Sequence, residues 1–251
     1  MDKQRTVLIT GAAGGIGKAI ALEFSNQNDF VYVADLNKDA AEKTANEIGG
    51  NAKGIYLDVT NEETIQTAIA NIIHERGSIE VLVNNAGLQY RAPLESFPLE
   101  KWNLLIDVML TGVFLMTKHV FPHMKKETYG RIINISSVHG KLATPEKIAY
   151  VAAKHGVIGV TGVTALEGAA YKITANSILP GPVKTELLMK QIDSLTAEGK
   201  TEKDALEAIM YPKQAMERFI EPEEVASGVV YLASDVASGI TGEHIKVAGG
   251  M

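Results

Sequence analysis

Short, continuous runs of apolar residues alternate with longer amphipathic stretches along almost the whole chain. The runs are rich in β-branched residues and predict seven strands, at Val7–Thr10, Phe30–Ala34, Gly54–Leu57, Val81–Asn84, Arg131–Ile135, Thr174–Leu179 and His244–Val247. The core strands are apolar throughout rather than alternating, as a parallel sheet covered on both faces requires. The pattern therefore predicts one α/β domain over residues 1–251, with a doubly wound, seven-stranded parallel sheet.

One segment interrupts this alternation, between Glu186 and Ile220. It is rich in charged residues and helical periodicity, and it lies between Gly181 and Pro222. Because it follows the sixth strand, it lies at the carboxyl edge of the sheet, where ligands bind in such folds. We expect a substrate lid of one or two helices at about 186–220; the alternative is a solvated surface insertion.

Composition narrows the classes of function. With 251 residues, 46% of them apolar, the chain has the length and composition of one globular domain. A net charge of −6 argues against nucleic acid as a partner, and the absence of cysteine excludes disulfides and thiol catalysis. No apolar run reaches the length of a membrane span, and M-D-K-Q-R-T leads directly into the first strand. We therefore expect no signal peptide, no membrane partner and a cytoplasmic protein.

A glycine-rich turn follows the first strand. Gly11, Gly15 and Gly17 come after Thr10 and open a helical pattern, so the backbone there can approach a pyrophosphate at a helix N-terminus. The second strand ends at Asp35, where a carboxylate accepts hydrogen bonds from an adenosine ribose and repels a 2′-phosphate. Neither Ala12 nor Ala13 offers a compensating cation. This stretch predicts a Rossmann-type fold that binds NAD in preference to NADP.

Tyr150 and Lys154 are four residues apart, and Ser137 lies thirteen residues before the tyrosine. On a helix the two side chains share a face, and a neighbouring ammonium lowers the pKa of a phenol. A phenol tuned in this way exchanges a proton with a substrate oxygen, which a serine hydroxyl can also hold. The alternative for the isolated pair is a half-buried tyrosine beside a snorkelling lysine. The glycine turn favours the catalytic interpretation.

Together these motifs resemble the short-chain dehydrogenase/reductase family over essentially the full length of the chain. They occur in family order: T-G-A-A-G-G-I-G from Thr10, D-V at Asp58, N-N-A-G from Asn84, Ser137, Tyr150 with Lys154, and P-G-P-V-K-T from Pro180. The resemblance implies that Asn84 supports the cofactor-side strand and that Lys154 binds the nicotinamide ribose. It implies this cofactor-binding set: Gly11, Gly15, Ile16, Gly17, Asp35, Asp58, Val59, Asn85, Ala86, Gly87, Tyr150, Lys154, Pro180, Gly181, Val183 and Thr185.

Within that family, the chain most resembles bacterial D-3-hydroxybutyrate dehydrogenases. The stretches that carry this resemblance include N-N-A-G-L-Q, F-P-L-E-K-W, G-R-I-I-N-I-S-S-V-H-G and A-Y-V-A-A-K-H-G-V-I-G. It implies that Ser137, Tyr150 and Lys154 are catalytic and that the substrate also meets Ser137 and Tyr150. It further implies that the substrate carboxylate is held by Gln89, His139, Lys147 and Gln191. The expected reaction is NAD-dependent interconversion of D-3-hydroxybutyrate and acetoacetate, in a homotetramer.

Two positions depart from these patterns. Met109 stands where most of the family has an asparagine that supports a proton-relay water. Pro182 stands where hydroxybutyrate dehydrogenases often have a tryptophan near the substrate, so the sequence leaves the size of the substrate pocket undetermined.

No metal is expected, because Pro122 separates His119 from His123 and no acidic partner is evident. We expect Trp102 to serve packing.

Two other functions stay open at this point. The chain could be a reductase of 3-oxoacyl thioesters or sugars, with a more open lid and no carboxylate clamp. It could also be a dinucleotide-binding regulator without turnover, which Met109 slightly favours. The presence of Ser137, Tyr150 and Lys154 argues against the regulator.

Overall fold

A single parallel sheet forms the centre of the molecule. The computed structural model describes residues 4–197, 199, 201–209 and 214–251. Within them the strands are Thr6–Thr10 (β1), Phe30–Asp35 (β2), Ala52–Tyr56 (β3), Val81–Asn84 (β4), Gly130–Ile135 (β5), Ile173–Pro180 (β6) and His244–Val247 (β7). Their order is β3-β2-β1-β4-β5-β6-β7, and every pairing is parallel. The predicted α/β class, the seven strands and the parallel sheet are confirmed.

Helices cover both faces of the sheet. They are Gly15–Asn26 (α1), Lys38–Ile48 (α2), Glu62–Arg76 (α3), Leu99–Ile106 (α4), Gly112–Glu127 (α5), Ile148–Gly168 (α6), Glu186–Ala197 (α7), Glu202–Ile209 (α8) and Pro222–Ala233 (α9). Alternate residues of β1 enter different cores: Val7 packs with Phe24 of α1, and Leu8 with Met116 of α5. Two buried faces explain why the strands are continuous apolar runs.

The order of the strands creates the cleft. The chain runs outward from β1 to β3, then returns to β4 on the other side of β1. The connections after β1 and β4 therefore diverge, and a crevice opens at the carboxyl ends of these strands. Asn84 fixes the neighbouring pair from inside, because its Nδ2 donates to Asn134 Oδ1 at 2.8 Å and β4 pairs with β5 at this position. This is the supporting role that the sequence predicted for Asn84.

The segment predicted as a lid contains α7 and α8. Apolar side chains on these helices form a small cluster separate from the two sheet cores, made of Leu188, Ile192, Leu195 and Ala205. Val183 and Ile220 form an isolated bridge at the base of the segment. Residues 198, 200 and 210–213 of the predicted lid lie outside the described residues. The helices are present; their action as a lid stays a prediction.

Two helical stretches, Leu99–Glu127 and Ile148–Tyr171, are long and apolar enough to cross a membrane. The prediction that no segment reaches that length was wrong, because charged residues such as Asp107 and Lys118 interrupt the apolar run without ending the helix. Both stretches pack beside the sheet and contribute buried residues to the interior. Core helices of soluble proteins have the same length and composition, so the two stretches are weak indicators of a membrane.

Candidate active site

A cleft of about 700 Å³ opens at the carboxyl ends of the central strands. Its walls come from the glycine turn, the ends of β2, β4, β5 and β6, the start of α6 and the helix α7. The predicted site residues that line it are Gly11, Gly15, Ile16, Asp35, Asp58, Val59, Asn85, Ala86, Gly87, Gln89, Ser137, His139, Lys147, Tyr150, Pro180, Gly181, Val183, Thr185 and Gln191. Gly17 and Lys154 are not among the residues that line it.

The glycine turn is held in place by close backbone packing. Gly11 has a φ of +62°, and a Cβ there would lie 2.8 Å from the Cα of Ala86. A Cβ on Gly17 would lie 2.5 Å from the Gly11 oxygen and 2.6 Å from Asn85 Nδ2. That Nδ2 donates to the oxygens of Thr10 and Gly11 at 3.0 and 2.9 Å. The turn leaves the N-terminus of α1 open to the cleft, a geometry that fits a pyrophosphate.

Two carboxylates mark the end of the cleft beyond the glycine turn. Asp35 accepts hydrogen bonds from the backbone N–H of Ala13 at 3.2 Å and of Asn37 at 3.0 Å. Asp58 accepts from the backbone N–H and hydroxyl of Thr60 at 2.9 and 2.7 Å. Both side chains also line the cleft. Asp35 is therefore fixed at the tip of β2, where an adenosine ribose would meet it.

Tyr150 differs from the sequence-based expectation in its electrostatics. Burial raises the pKa of Tyr150, and the hydrogen bond with the Ser137 hydroxyl lowers it by less. Lys154 Nζ lies 5.7 Å from the centre of the Tyr150 ring and donates to the Ile135 carbonyl at 2.8 Å. Burial lowers the pKa of Lys154 to about 8. The expectation that Lys154 holds the pKa of Tyr150 down was wrong for this structure, because desolvation dominates and the ammonium faces the carbonyl.

The end of the cleft at the start of α6 contains a buried cation. The Lys147 side chain lines the cleft with the residue only 7% exposed, and none of the described acidic groups pairs with it. Burial, followed by repulsion from Arg91, lowers the pKa of Lys147 to about 8. In the lining of the same cleft, Gln89 Oε1 is buried without a hydrogen-bond partner among the described residues. Buried polar groups of this kind favour a ligand that supplies the missing partners.

A pair of loops positions Lys147. The preceding residue, Glu146, has a φ of +65°, and its carbonyl accepts from the Ala92 N–H at 3.1 Å. Its carboxylate forms an ion pair with Arg91. Sequence reasoning missed Arg91 and Glu146 because they are 55 positions apart. Only the approach of the two loops in space brings their charges together.

Both ring nitrogens of His139 lie within hydrogen-bonding distance of a side-chain hydroxyl. Its Nδ1 lies 3.3 Å from Ser137 Oγ, and its Nε2 lies 2.7 Å from Thr144 Oγ1. The Ser137 hydroxyl oxygen also accepts from the His139 backbone N–H at 3.1 Å. Burial, and then the charge of Lys147, lowers the pKa of His139 to about 4. The imidazole is therefore neutral near pH 7, and Thr144 is a further partner that the sequence did not indicate.

The two departures noted in the sequence have different consequences. Met109 lies in a π-helical turn between α4 and α5 and is fully buried against Leu105, Ala149 and Ala153. It therefore puts an apolar group on the side of the site nearest α4. Pro182 lines the cleft, as does Met251, which the sequence did not predict. Met251 is thus an apolar wall residue in addition to Pro182.

Trp102, which was predicted to serve packing, and His119, which was considered as a metal ligand, do not line the cleft. Trp102 packs among the apolar side chains around Met109. His119 Nε2 lies 2.7 Å from Glu62 Oε1, so it does have an acidic neighbour, contrary to expectation. In the described parts of the chain, no group of three or more His, Cys, Asp or Glu side chains is arranged to hold a metal ion.

Comparison with known proteins gives consistent matches over nearly the full length. A family model described as enoyl-(acyl carrier protein) reductase matches residues 11–251. An oxidoreductase of Bacillus subtilis, YxjF, is 44% identical over 99% of this chain and 98% of its own. A D-beta-hydroxybutyrate dehydrogenase of Rhizobium meliloti is 40% identical over 98% of each chain. A 3-oxoacyl-[acyl-carrier-protein] reductase of Thermotoga maritima is 38% identical over 98% of this chain and 97% of its own.

Proposed function

The chain belongs to the short-chain dehydrogenase/reductase family, and we propose that it is an NAD-dependent dehydrogenase of small 3-hydroxy acids. Oxidoreductases of this family use nicotinamide cofactors. The proposed reaction interconverts D-3-hydroxybutyrate and acetoacetate, and the full-length similarity to a D-beta-hydroxybutyrate dehydrogenase supports it. The observation that carries the proposal is the buried ammonium of Lys147, which has no anionic partner among the described residues, in the cleft.

The buried ammonium of Lys147 favours an anionic ligand. A buried charge is tolerated when it is paired and hydrogen-bonded, and no described acidic group of this chain pairs with Lys147. A substrate carboxylate provides that charge. The side-chain amides of Gln89 and of Gln191 on α7 line the same cleft and can donate to the carboxylate oxygens. His139, the fourth residue predicted for this clamp, already has partners on both ring nitrogens and borders the carboxylate position.

Asp35 supports NAD rather than NADP. Its carboxylate lines the cleft and accepts two backbone hydrogen bonds, which fix its orientation. A ribose 2′-hydroxyl can donate to it, whereas a 2′-phosphate would be repelled. Leu36 and Asn37, which follow Asp35, also leave the phosphate without a cation. The cleft therefore favours the uncharged ribose.

Each residue of the site has a separate role in the proposed reaction. The bound nicotinamide would accept the hydride from the carbinol carbon. Tyr150, as the phenolate, takes the hydroxyl proton of the substrate, and Ser137 holds the reacting oxygen. Lys154, behind the tyrosine, would bind the nicotinamide ribose. Lys147 and the two glutamines fix the carboxylate, and therefore the carbon to be oxidised, relative to Tyr150.

A reductase of 3-oxoacyl thioesters is the second candidate. The similarity to the 3-oxoacyl-[acyl-carrier-protein] reductase of Thermotoga maritima favours it, as does Pro182, which leaves more room than a tryptophan would. A thioester has no carboxylate next to the reacting group, so it would leave Lys147 unpaired. For this reason we prefer the acid. The catalytic serine, tyrosine and lysine also argue against a regulator without turnover.

We further propose a cytoplasmic homotetramer that acts on small molecules, with neither nucleic acid nor membrane as partner. Exposed apolar residues along the two long helices, among them Leu99, Phe114, Val163 and Leu166, support assembly, because such side chains favour contact with another subunit. Light scattering at micromolar concentration tests this. A monomer would remove the proposal on assembly without affecting the one on chemistry.

NAD reduction over a panel of hydroxy acids, alcohols and sugars tests the proposed function. We expect the highest kcat/KM with D-3-hydroxybutyrate or a slightly longer 3-hydroxy acid. Preference for a sugar, or for a 3-oxoacyl thioester in the reducing direction, would contradict the proposal. Nicotinamide binding without turnover of any panel member would favour the regulator.

A further inference from the structure

Two separate loops carry residues that we propose to hold the substrate carboxylate. Gln89 lies in the loop after β4, which has no regular secondary structure from residue 85 to residue 93. Lys147 directly precedes α6, and its carbonyl accepts from the Val151 N–H at 2.9 Å in the first turn. Both residues line the cleft. Their joint use by one carboxylate therefore depends on how the first loop is fixed to the start of α6.

The loop after β4 is joined to the start of α6 through Glu146. The N–H of Ala92 donates to the Glu146 carbonyl at 3.1 Å, and the Arg91 guanidinium forms an ion pair with the Glu146 carboxylate. Arg91 is two residues after Gln89, and Glu146 immediately precedes Lys147. One backbone hydrogen bond and one ion pair thus link the two loops next to two residues of the carboxylate clamp.

Glu146 makes these contacts from an uncommon backbone conformation. Its φ of +65° lies in the left-handed region, which residues with a long side chain rarely adopt. Such residues persist where the surrounding structure over-determines them, and they are frequent at ligand-binding sites. Both the carbonyl and the carboxylate of Glu146 contact the segment of Arg91 and Ala92. The unfavourable conformation is therefore offset by contacts with the other loop.

Glu146 also makes the approach of the two loops electrostatically favourable. Arg91 lies close enough to Lys147 that its charge, after burial, lowers the pKa of that ammonium. Two cations on adjacent loops repel each other. The Glu146 carboxylate pairs with one of them, and a substrate carboxylate would pair with the other. His139, whose pKa burial and the Lys147 charge lower to about 4, is neutral near pH 7 and adds no further charge.

We propose that Arg91 and Glu146 are positioning residues, whose contact fixes Gln89 and Lys147 relative to each other so that both bind one substrate carboxylate. This inference rests on the proposed dehydrogenase activity. Neither Arg91 nor Glu146 is among the residues that line the cleft, so they act through their neighbours. Their side chains are 23% and 42% exposed, and ion pairs of this kind contribute little to stability. The pair should therefore affect substrate binding more than the stability of the fold.

Removal of either charge tests the contact. Arg91→Gln and Glu146→Gln each remove one partner, the double variant removes both, and Arg91→Lys keeps the cation. The matched control is Lys53→Gln, which breaks the partly exposed ion pair of Lys53 with Glu75 away from the cleft. Kinetics with NAD and D-3-hydroxybutyrate are measured near pH 7, below the pKa of about 8 of Lys147. NAD affinity and the unfolding temperature are measured for each variant.

We expect the KM for the acid to rise roughly fivefold in Arg91→Gln and in Glu146→Gln, at the upper end of the effects of exposed ion pairs. Because the two residues form one contact, the double variant should be no worse than either single variant. Arg91→Lys should keep most of the wild-type KM. In all four variants kcat, NAD affinity and the unfolding temperature should stay close to wild type, and Lys53→Gln should match wild type throughout.

A second measurement needs no turnover. The rate at which acetic anhydride labels Lys147, followed by mass spectrometry as the pH changes, reports the pKa of this amine in the free protein. Arg91→Gln removes a cation that disfavours the ammonium, so this pKa should rise above about 8. Glu146→Gln leaves that cation in place, so the pKa should not rise. General loosening of the site would expose Lys147 and raise its pKa in both variants, because burial is the larger cause of the shift.

Three results would overturn the positioning role in an active enzyme. Both single variants could keep the wild-type KM, or their effects on KM could add in the double variant. A rise in the Lys147 pKa in both variants, together with a lower unfolding temperature, would show that the pair only supports the fold. Failure of the wild type to oxidise any 3-hydroxy acid is a different result, because it would reject the proposed function and the carboxylate clamp with it.

Discussion

The ends of the cleft that we propose for the cofactor and for the substrate are built in different ways. At the cofactor end, Asn85 bonds the oxygens of the glycine turn and Asp35 bonds two backbone N–H groups, so the polar atoms are satisfied within the protein. At the substrate end, Lys147 is buried without an anionic partner among the described residues, and the Oε1 of Gln89 lacks a donor. The first end is complete before its ligand binds, whereas at the second a carboxylate ligand would supply the partner that Lys147 lacks.

This difference has an energetic consequence. Groups that are already satisfied fix the position of a common cofactor at little cost to the fold. Buried groups without partners destabilise the free protein and favour only ligands that pair with them. We infer that the substrate end is the source of specificity, and that changes at the two ends will affect different kinetic constants.

Removal of the proton carrier between the two ends should have the largest effect. Tyr150→Phe keeps the ring and its packing but has no acidic proton. We expect kcat to fall about 10²–10⁴-fold, because general acid–base catalysis is lost. NAD affinity, measured by calorimetry, should stay close to that of the wild type. If the variant keeps more than about a tenth of the wild-type kcat, the role given to Tyr150 is wrong.

Removal of the Lys147 charge should weaken use of the acid substrate and leave NAD binding unchanged. We expect Lys147→Gln to lower kcat/KM for 3-hydroxybutyrate by roughly 10²-fold, because about 3 kcal/mol is lost when one partner of a buried pair is removed. Lys141→Gln, at an exposed lysine nearby in the chain, is the control. Weaker NAD binding in the Lys147 variant would show that the two ends are not separate.

The same lysine predicts a pH dependence. With a pKa of about 8 in the free protein, Lys147 is charged below that pH and neutral above it. A carboxylate binds the charged form, so the KM for the acid should rise as the pH increases through 8. In Lys147→Gln this rise should disappear. A KM that does not change between about pH 7 and 9 in the wild type would contradict the assignment, given that pKa.

At the cofactor end the expected effect is smaller. Asp35 should give NAD at least a tenfold advantage over NADP in kcat/KM, which corresponds to about 1.4 kcal/mol. Asp35→Ser should narrow that ratio and leave the preference for acids unchanged. Equal use of both cofactors by the wild type would show that Asp35 does not face the ribose.

Met109 should contribute least. Met109→Asn places an amide in the apolar cluster beside Tyr150, and we expect the fold to persist with kcat unchanged or modestly higher. Thermal unfolding and kcat are measured together. Loss of the fold would mean that Met109 is needed as a core residue, which is the ordinary role of a buried methionine.

The motif at the proposed cofactor end could be recognised in the sequence because its parts are close together in the chain. The strand, the glycine turn and Asp35 lie within one stretch, and Gly11 and Gly15 have the positive φ angles that favour glycine. Apolar runs similarly predicted all seven strands, with boundaries that shift by at most two residues, as at Ala52–Tyr56 on the edge of the sheet.

The electrostatics of the site depend on burial and on distant partners, which spacing does not reveal. The distance between Tyr150 and Lys154 in the chain suggested a lowered tyrosine pKa, but desolvation reverses the direction. The Arg91–Glu146 pair and the contact of His139 with Thr144 also depend on how loops meet. Lys147 was predicted by resemblance, but its isolation from anionic partners emerged only from the structure.

The most direct test of the substrate end compares D-3-hydroxybutyrate with its methyl ester in the wild type. The ester keeps the carbinol carbon and removes the charge that Lys147 requires. We expect kcat/KM to favour the free acid by at least about 100-fold, consistent with the 3–5 kcal/mol cost of a broken buried pair. In Lys147→Gln the kcat/KM values for the acid and the ester should become more nearly equal. Equal turnover of the acid and the ester by the wild type would contradict the carboxylate clamp and favour the thioester reductase.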